Sequence, residues 1–407
     1  MRTCSLAANP SPLICLASHS AELESVKVSQ PHNMSHGQAR LGAGILRPLD
    51  SLLLAVPMAF AIYLVPAWKN DPLLFFVSGS AIIPLAAWVG RATEHLSHRG
   101  GPGLGGLLNA TVGNAPELIL SLVALSKGLT VLVKASVTGS IITNILLVLG
   151  ISILAGGMRF PHQRFNQTGT RTAATSLGLA VIALVIPTVF RVATGGQRGG
   201  LPVFASRNLS LAVAIVLFAT YLLWLLFSLI THKQLFAGEI PGDGEPNRDE
   251  KPVWPISKAV IILAVSAILI AVMSDFLSGA VEPFCESLGL TQAFVGVIIV
   301  AILGNASEST AVLVALKNKM DLCLVITIGA SLQIALFVIP ALVFASYIFG
   351  RPMTLELSVP EVSALALAVG IVILISGDGE CNWLEGAQLL AVYVIIAIFF
   401  FFLPEFS

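Results

Sequence analysis

The chain has 407 residues, of which 56% are hydrophobic and 11% are charged, and its formal net charge is zero. Soluble domains carry roughly 25% charged residues, so this composition excludes an ordinary soluble domain and predicts a multi-pass membrane protein. The zero net charge gives no reason to expect nucleic acid as a partner.

In chain order, a polar tail comes first. Residues 1–47 contain no convincing signal peptide and no apolar span, so we expect a disordered segment, and Met34 is an alternative start to Met1. Runs of about 20 apolar residues then mark candidate transmembrane helices. They predict an all-α integral membrane protein with about eleven spans, near residues 49–67, 72–91, 104–127, 130–155, 172–191, 208–230, 256–275, 290–316, 322–348, 359–376 and 386–403.

A polar linker over residues 232–255 divides these spans. We expect residues 48–71 to form an extra transmembrane helix, and residues 72–231 and 256–407 to form two five-helix repeats. An odd number of spans makes the second repeat insert upside down, which is the architecture of many secondary transporters. We expect the linker to be a solvated tether, with a regulatory cation sensor as the alternative, and its acidic residues are Glu239, Asp243, Glu245, Asp249 and Glu250.

The distribution of basic residues predicts the orientation. Of the 22 Lys and Arg residues, 15 lie in the N-terminal tail or in the even-numbered connections between spans. Because positive residues stay in the cytoplasm, we expect a cytoplasmic N-terminus, a cytoplasmic linker and an outside C-terminus.

A five-residue motif occurs once in each half of the chain. Gly113-Asn114-Ala115-Pro116-Glu117 recurs 191 residues later as Gly304-Asn305-Ala306-Ser307-Glu308, and Val-Ala-Leu follows both copies at the same offset. Each copy places a carboxylate in the middle of an apolar run. A carboxylate at membrane depth is costly and marks a functional site by default.

The motif suits a hard cation. A helix would place Asn114 beside Glu117, and Asn305 beside Glu308, on one face. Ca²⁺ takes about six to eight oxygen ligands, which carboxylates, amides, backbone carbonyls and water can supply. Two glycines are expected to allow close helix approach and one proline to free a backbone carbonyl: Gly113, Gly304 and Pro116.

The charge balance suggests exchange. Two ionised glutamates with one divalent cation are neutral, and so are two protonated glutamates without it. Burial and mutual repulsion both disfavour the empty ionised pair, so we expect it to take up protons. A site that crosses the membrane cheaply only when it holds Ca²⁺ or protons is an exchanger.

Other polar residues near the motifs are candidate parts of an ion or proton pathway. Five lie on the spans that follow the motifs and are expected to be further ligands or hydrogen-bond partners, with simple interhelical contact as the alternative: Ser140, Thr143, Asn144, Ser331 and Gln333. Three acids near predicted helix ends are expected to form an entry vestibule, with ordinary interfacial solvation as the alternative: Glu94, Asp275 and Glu282.

The sequence resembles the calcium/cation antiporter superfamily and, within it, the CAX-type Ca²⁺/H⁺ antiporters. The segments that carry the resemblance are 104–118, 139–149, 295–308, 331–337 and 382–388. The resemblance implies a transporter and not an enzyme, with Ca²⁺ as substrate and no cofactor. It also implies that Glu117 and Glu308 are the central cation and proton sites, with four residues near them: Asn114, Asn305, Ser140 and Gln333.

One departure from the family pattern bears on ion selectivity. The family usually has His directly after the second motif glutamate, and this chain has Ser309. A Na⁺ or K⁺/H⁺ antiporter on the same fold is therefore the alternative function. From other classes, a cation channel and an intramembrane hydrolase with two paired acids suit the repeated motif less well than alternating access.

The expected partners are Ca²⁺, H⁺ and the lipid bilayer, and the sequence predicts no oligomeric state. The short tail and linker resemble bacterial members of the family more than vacuolar ones, so we expect the bacterial inner membrane.

Overall fold

The computed structural model describes residues 50–194, 200–232 and 254–404. The expected disordered tail and most of the acidic linker lie outside the described residues. In the first half, a 3-10 turn precedes a series of helices, two of which continue through π-helical segments. The helices are α1 (Ala55–Leu64), α2 (Asp71–Val112), α3 (Ala115–Ser126), α4 (Thr130–Ile142), α5 (Leu149–Arg159), α6 (Gln167–Ala193) and α7 (Gly200–Leu226), and the π-helical segments are Thr143–Val148 and Phe227–Thr231.

The second half follows a similar plan after one long helix. Its helices are α8 (Ile256–Leu288), α9 (Gln292–Phe294), α10 (Ala301–Gly304), α11 (Thr310–Ala315), α12 (Met320–Gln333), α13 (Ile339–Ile348), α14 (Val359–Ile375) and α15 (Trp383–Phe401). Two π-helical segments, Val295–Val300 and Ile334–Val338, and a 3-10 turn, Ser307–Ser309, join some of them.

The helices confirm an all-α membrane protein. Among the described residues, seven helices are long and apolar enough to cross a membrane, or eight if the bent pair Gln292–Gly304 and Ser307–Ala315 is one span. The other predicted spans coincide with shorter apolar helices or with the second part of α2. The count of eleven spans and the two inverted repeats remain predictions.

One predicted boundary is wrong. The sequence predicts separate helices near 72–91 and 104–127, but α2 is continuous from Asp71 to Val112 and the break comes after it. Glycine adopts helical dihedral angles at a modest entropic cost, so the glycine-rich stretch over 100–106 does not end the helix.

The two halves interlock. The long helices α2 and α8 pack along each other, α5 packs on α15, and α6 packs on α14. Each π-helical segment in the third span of one half contacts the last helix of the other half: Thr143–Val148 contacts α15, and Ile334–Val338 contacts α7. The centre of the molecule is therefore built from both predicted repeats.

A two-stranded antiparallel sheet was not predicted from the sequence. It pairs β1 (Gln163–Arg164) with β2 (Glu380–Cys381), and Arg164 Nε lies 2.8 Å from Glu380 Oε1. Strands of two residues are too short to show an alternating pattern. Burial, reinforced by nearby negative charge, raises the pKa of the Cys381 thiol to about 12, so this cysteine is unreactive at neutral pH.

A candidate cation site between two interrupted helices

The first motif lies at a break between two helices. α2 ends at Val112, and Asn114 is the N-cap residue of α3 with φ −97° and ψ 25°, outside the helical region. The prediction that one helix carries both Asn114 and Glu117 is therefore wrong. Pro116 lies in the first turn of α3, where a backbone N–H has no partner within the helix. The irregular backbone here comes from the break between the two helices and not from the proline alone.

The second motif is broken in the same place. α10 ends at Gly304, Asn305 follows it as the C-cap residue with φ −81° and ψ 22°, and Glu308 lies in a 3-10 turn. The span bends by 59° where its two helical arms join. Irregular backbone at membrane depth is tolerated only where it is buried in protein or lines a cavity, so both motifs are placed as a binding site requires.

The two motif glutamates are both buried in the interior. Their exposed fractions are 4% for Glu117 and 6% for Glu308, and their carboxylates are close enough to repel. Gly304 lies against Glu117: a Cβ added at Gly304 would be 3.4 Å from Glu117 Cγ. The missing side chain thus lets the second motif cross directly beside the first glutamate. Gly113 lies in the first break itself and is half-buried.

The two carboxylates differ in their hydrogen bonds. Glu308 Oε2 accepts a hydrogen bond from Ser307 Oγ at 2.9 Å. No side chain among the described residues donates to either carboxylate oxygen of Glu117. Ser307 occupies the variable position of the motif, so its role is visible only once the helix breaks. Ser121 lies one turn after Glu117 on α3 and is also buried. The sequence does not predict Ser121 as a site residue, although its spacing of four residues from Glu117 places both side chains on one face of a helix.

Each motif asparagine binds the opposite half of the protein. Asn114 Nδ2 donates to Gln333 Oε1 at 2.5 Å, and Asn305 Nδ2 donates to the Ser140 backbone carbonyl at 3.1 Å. In both asparagines, Oδ1 is buried and accepts no hydrogen bond from the described residues. The amide nitrogens thus hold the two halves of the protein together, and the amide oxygens stay available to a cation.

Asn144 and Ser331 have different surroundings. Asn144 is fully buried in the π-helical segment Thr143–Val148, which contacts the turn that carries Glu308. Neither of its amide atoms has a partner among the described residues. Ser331 Oγ instead donates to the Thr327 carbonyl within α12 at 2.9 Å, so its hydrogen is used inside its own helix. Asn144 therefore remains a candidate ligand, and Ser331 is placed as a structural residue.

The predicted vestibule acids do not lie at helix ends. α2 and α8 extend beyond the membrane-length segments predicted for them, so Glu94, Asp275 and Glu282 all lie inside helices. Glu94 and Glu282 are exposed. Asp275 Oδ1 lies 2.8 Å from Lys127 Nζ. The structure thus gives Asp275 a cationic partner in the protein.

The described residues contain no group of three or more His, Cys, Asp or Glu side chains that could hold a metal ion. The donor set is instead two carboxylates with side-chain amide oxygens. Such a set suits a hard cation that binds and leaves, and it lacks the nitrogen and sulfur ligands of a structural zinc site.

Comparisons with known proteins agree with this geometry. A family model described as sodium/calcium exchanger protein matches residues 71–230 and 258–402. A protein named Ca(2+)/H(+) antiporter from Aphanothece halophytica is 46% identical over 370 residues, which cover 87% of this chain and 96% of the relative. A protein of the same name from Synechocystis is 44% identical over 369 residues, with the same coverage.

A solved structure shows a similar fold. The structure of native YfkE is 40% identical in sequence and superposes with a TM-score of 0.74, over 87% of this chain and 100% of that chain. The chain therefore belongs to the sodium/calcium exchanger protein family, in its CAX-type branch, and is a transporter and not an enzyme.

Proposed function

We propose that this protein exchanges Ca²⁺ for H⁺ across a membrane by alternating access, with Glu117 and Glu308 binding the cation or protons in turn. The observation that carries the proposal is the pair of buried, interacting carboxylates at two helix breaks. The names of the relatives support Ca²⁺ and H⁺ as the ions. Ca²⁺ is then the transported substrate, and no cofactor takes part.

The electrostatics make the exchange obligatory. The empty ionised pair holds two like charges in a medium of low dielectric, where an uncompensated charge is very costly. Ca²⁺ removes that cost by neutralising both carboxylates, and two protons remove it as well. The site therefore changes sides only when it is loaded with one or the other.

An asymmetry between the halves supports alternating access. At Gly139, α4 packs directly on the backbone of Val297, whereas a Cβ added at Gly329, the repeat counterpart of Gly139, would meet no atom of a described residue within 4 Å. One side of the site is thus tightly packed and the other is loose. With the predicted orientation, the packed side faces outwards and the loose side faces the cytoplasm. Inverted repeats can exchange these two packings.

We also propose that the protein lies in the bacterial inner membrane, with its N-terminus and linker in the cytoplasm and its C-terminus outside. The distribution of Lys and Arg and the bacterial sources of the relatives support this placement. The proposed organisation is one extra helix and two inverted five-helix repeats joined by a tether.

A Na⁺ or K⁺/H⁺ antiporter is the second candidate, and Ser309 is the observation that favours it. The serine hydroxyl donates to the Ala306 carbonyl at 2.7 Å, and the side chain is exposed. No imidazole follows Glu308 in the sequence to take part in proton exchange or to disfavour a monovalent cation by its charge.

The test is Ca²⁺ uptake into everted membrane vesicles with an imposed acidic interior. We expect uptake that collapses when the proton gradient is dissipated, and loss of uptake in Glu117→Gln and in Glu308→Gln. Glu286→Gln is the matched control, since it makes the same change at an exposed position on α8. Full uptake in either motif variant would contradict the proposed site. Proton release driven by Na⁺ or K⁺ without Ca²⁺ uptake would favour the second candidate.

A further inference from the structure

Lys127 and Asp275 join the two halves on the packed side of the site. Lys127 is the C-cap residue of α3, the helix that carries Glu117. It lies ten residues after that glutamate, about 15 Å along the helix axis. Its Nζ is 2.8 Å from Asp275 Oδ1 and also donates to the Asp275 backbone carbonyl. Because α3 and α8 belong to different halves, this ion pair fixes one half against the other.

The second motif helix ends in the same way. Gly128 and Asn318 both have positive φ, at 85° and 58°, and each donates its backbone N–H to the carbonyl three residues earlier. The residue before the positive-φ position is a lysine in both halves: Lys127 in the first and Lys317 in the second. Lys317 is therefore the structural counterpart of Lys127 at the end of the second motif helix.

A candidate acid for Lys317 lies on α2, the helix that packs along α8. The acidic residues of α2 are Asp71, in its first turn, and Glu94, towards its other end. α2 passes the second motif at Gly90, where an added Cβ would be 3.8 Å from Ser307 Cβ, and Glu94 lies one turn further on. Glu94 and Lys317 are both exposed, and no ion pair joins either of them to another described residue.

We propose that Lys127–Asp275 and Lys317–Glu94 are alternating latches: the first closes one side of the site in this conformation, and the second closes the other side after the first has opened. This inference rests on the proposed alternating access. It assigns Asp275 and Glu94 to gating and not to cation binding. The Lys127–Asp275 pair is half-exposed, so it biases the conformations about fivefold, which corresponds to about 1 kcal/mol, and turnover can break it.

The first test is a reversible crosslink. In a cysteine-free background, the pair Lys127→Cys and Asp275→Cys is bridged in vesicles by a short bis-methanethiosulfonate, which forms one reducible disulfide with each thiol. Proton-driven Ca²⁺ uptake is measured before bridging, after bridging and after reduction. We expect bridging to lower uptake at least tenfold and reduction to restore it. The control pair is Arg164→Cys with Glu380→Cys across the small sheet, where the parent atoms are also 2.8 Å apart. There we expect less than a twofold effect.

Unchanged uptake after complete bridging of the Lys127→Cys and Asp275→Cys pair overturns the latch. The reduced protein tests the proposed function separately, because it must transport Ca²⁺ whether or not the latch exists. If it transports another cation instead, the effect of the same bridging on transport of that cation is measured.

The second test reads the conformation without transport. Glu94→Cys and Lys317→Cys are joined by a short bis-maleimide, and the rate of crosslinking is compared with and without Asp275→Asn. We expect Asp275→Asn to raise the rate about fivefold, because opening the first latch favours the second, and Glu286→Gln to leave it unchanged. An equal rate with and without Asp275→Asn overturns the proposal.

Discussion

Replacing Gly139 by alanine tests the packed side of the site most severely. The added Cβ would lie within 2.7 Å of the Val297 carbonyl oxygen, Cα and carbonyl carbon. These are backbone atoms, so no side-chain rotation relieves the overlap, and α4 must move away from the segment Val295–Val300. Overpacking of this kind costs about 1–3 kcal/mol, which changes a conformational equilibrium by about five- to 150-fold.

Gly329→Ala is the matched control, because Gly329 is the repeat counterpart of Gly139 and its added Cβ meets no described atom within 4 Å. We expect Gly139→Ala to lower the melting temperature of the purified protein. We expect Gly329→Ala to leave it equal or slightly higher, since alanine favours a helix over glycine by about 1 kcal/mol. Both variants should transport Ca²⁺ at least fivefold more slowly, because each opposes one of the two packings.

The assay is thermal unfolding in detergent together with Ca²⁺ uptake in vesicles containing equal amounts of protein. Wild-type transport by both variants would refute the argument that the two sides exchange their packing. Equal destabilisation by both variants would refute the asymmetry between the sides.

Three further predictions concern single side chains. Gln333→Leu removes the partner of the buried Asn114 amide, and an unsatisfied buried polar group costs about 1–3 kcal/mol. We expect the variant to be expressed normally and its KM for Ca²⁺ in the uptake assay to rise at least fivefold. Ser309→His introduces a further group that titrates near neutrality, so the pH profile of uptake should differ in shape from that of the wild type between about pH 5.5 and 7.5. Glu380→Gln removes the exposed ion pair with Arg164 and should lower the free energy of unfolding by less than about 1 kcal/mol. A larger decrease would show that the ion pair stabilises the protein more than its exposure indicates.

The sequence predicts the membrane class and the two central glutamates because both depend on local composition. An apolar run long enough to span a bilayer and a carboxylate in its middle are visible without knowledge of tertiary structure. The pairing of Asn114 with Gln333 was not predicted as a specific contact, because 219 residues separate the two and only the crossing of the halves brings them together. Both residues were nevertheless candidates, since buried amides need partners.

The helix breaks and the role of Asp275 were not predictable in the same way. A motif read on an ideal helix places Asn and Glu on one face, whereas the structure interrupts the helix between Asn305 and Glu308. Asp275 is an acid near the end of a membrane-length segment, which suggested an ion vestibule. Its pairing with Lys127 depends on how far α8 continues beyond that segment and on which face meets α3.

The most direct test of the central claim is the number of protons released when Ca²⁺ binds. Purified protein in weakly buffered detergent solution at mildly acidic pH is titrated with Ca²⁺ while a pH indicator records the protons. If the two glutamates bind Ca²⁺ and protons in turn, binding should release roughly two protons per Ca²⁺, and Glu117→Gln and Glu308→Gln should each lower both the release and the affinity. Ca²⁺ binding by the wild type without proton release would contradict the account.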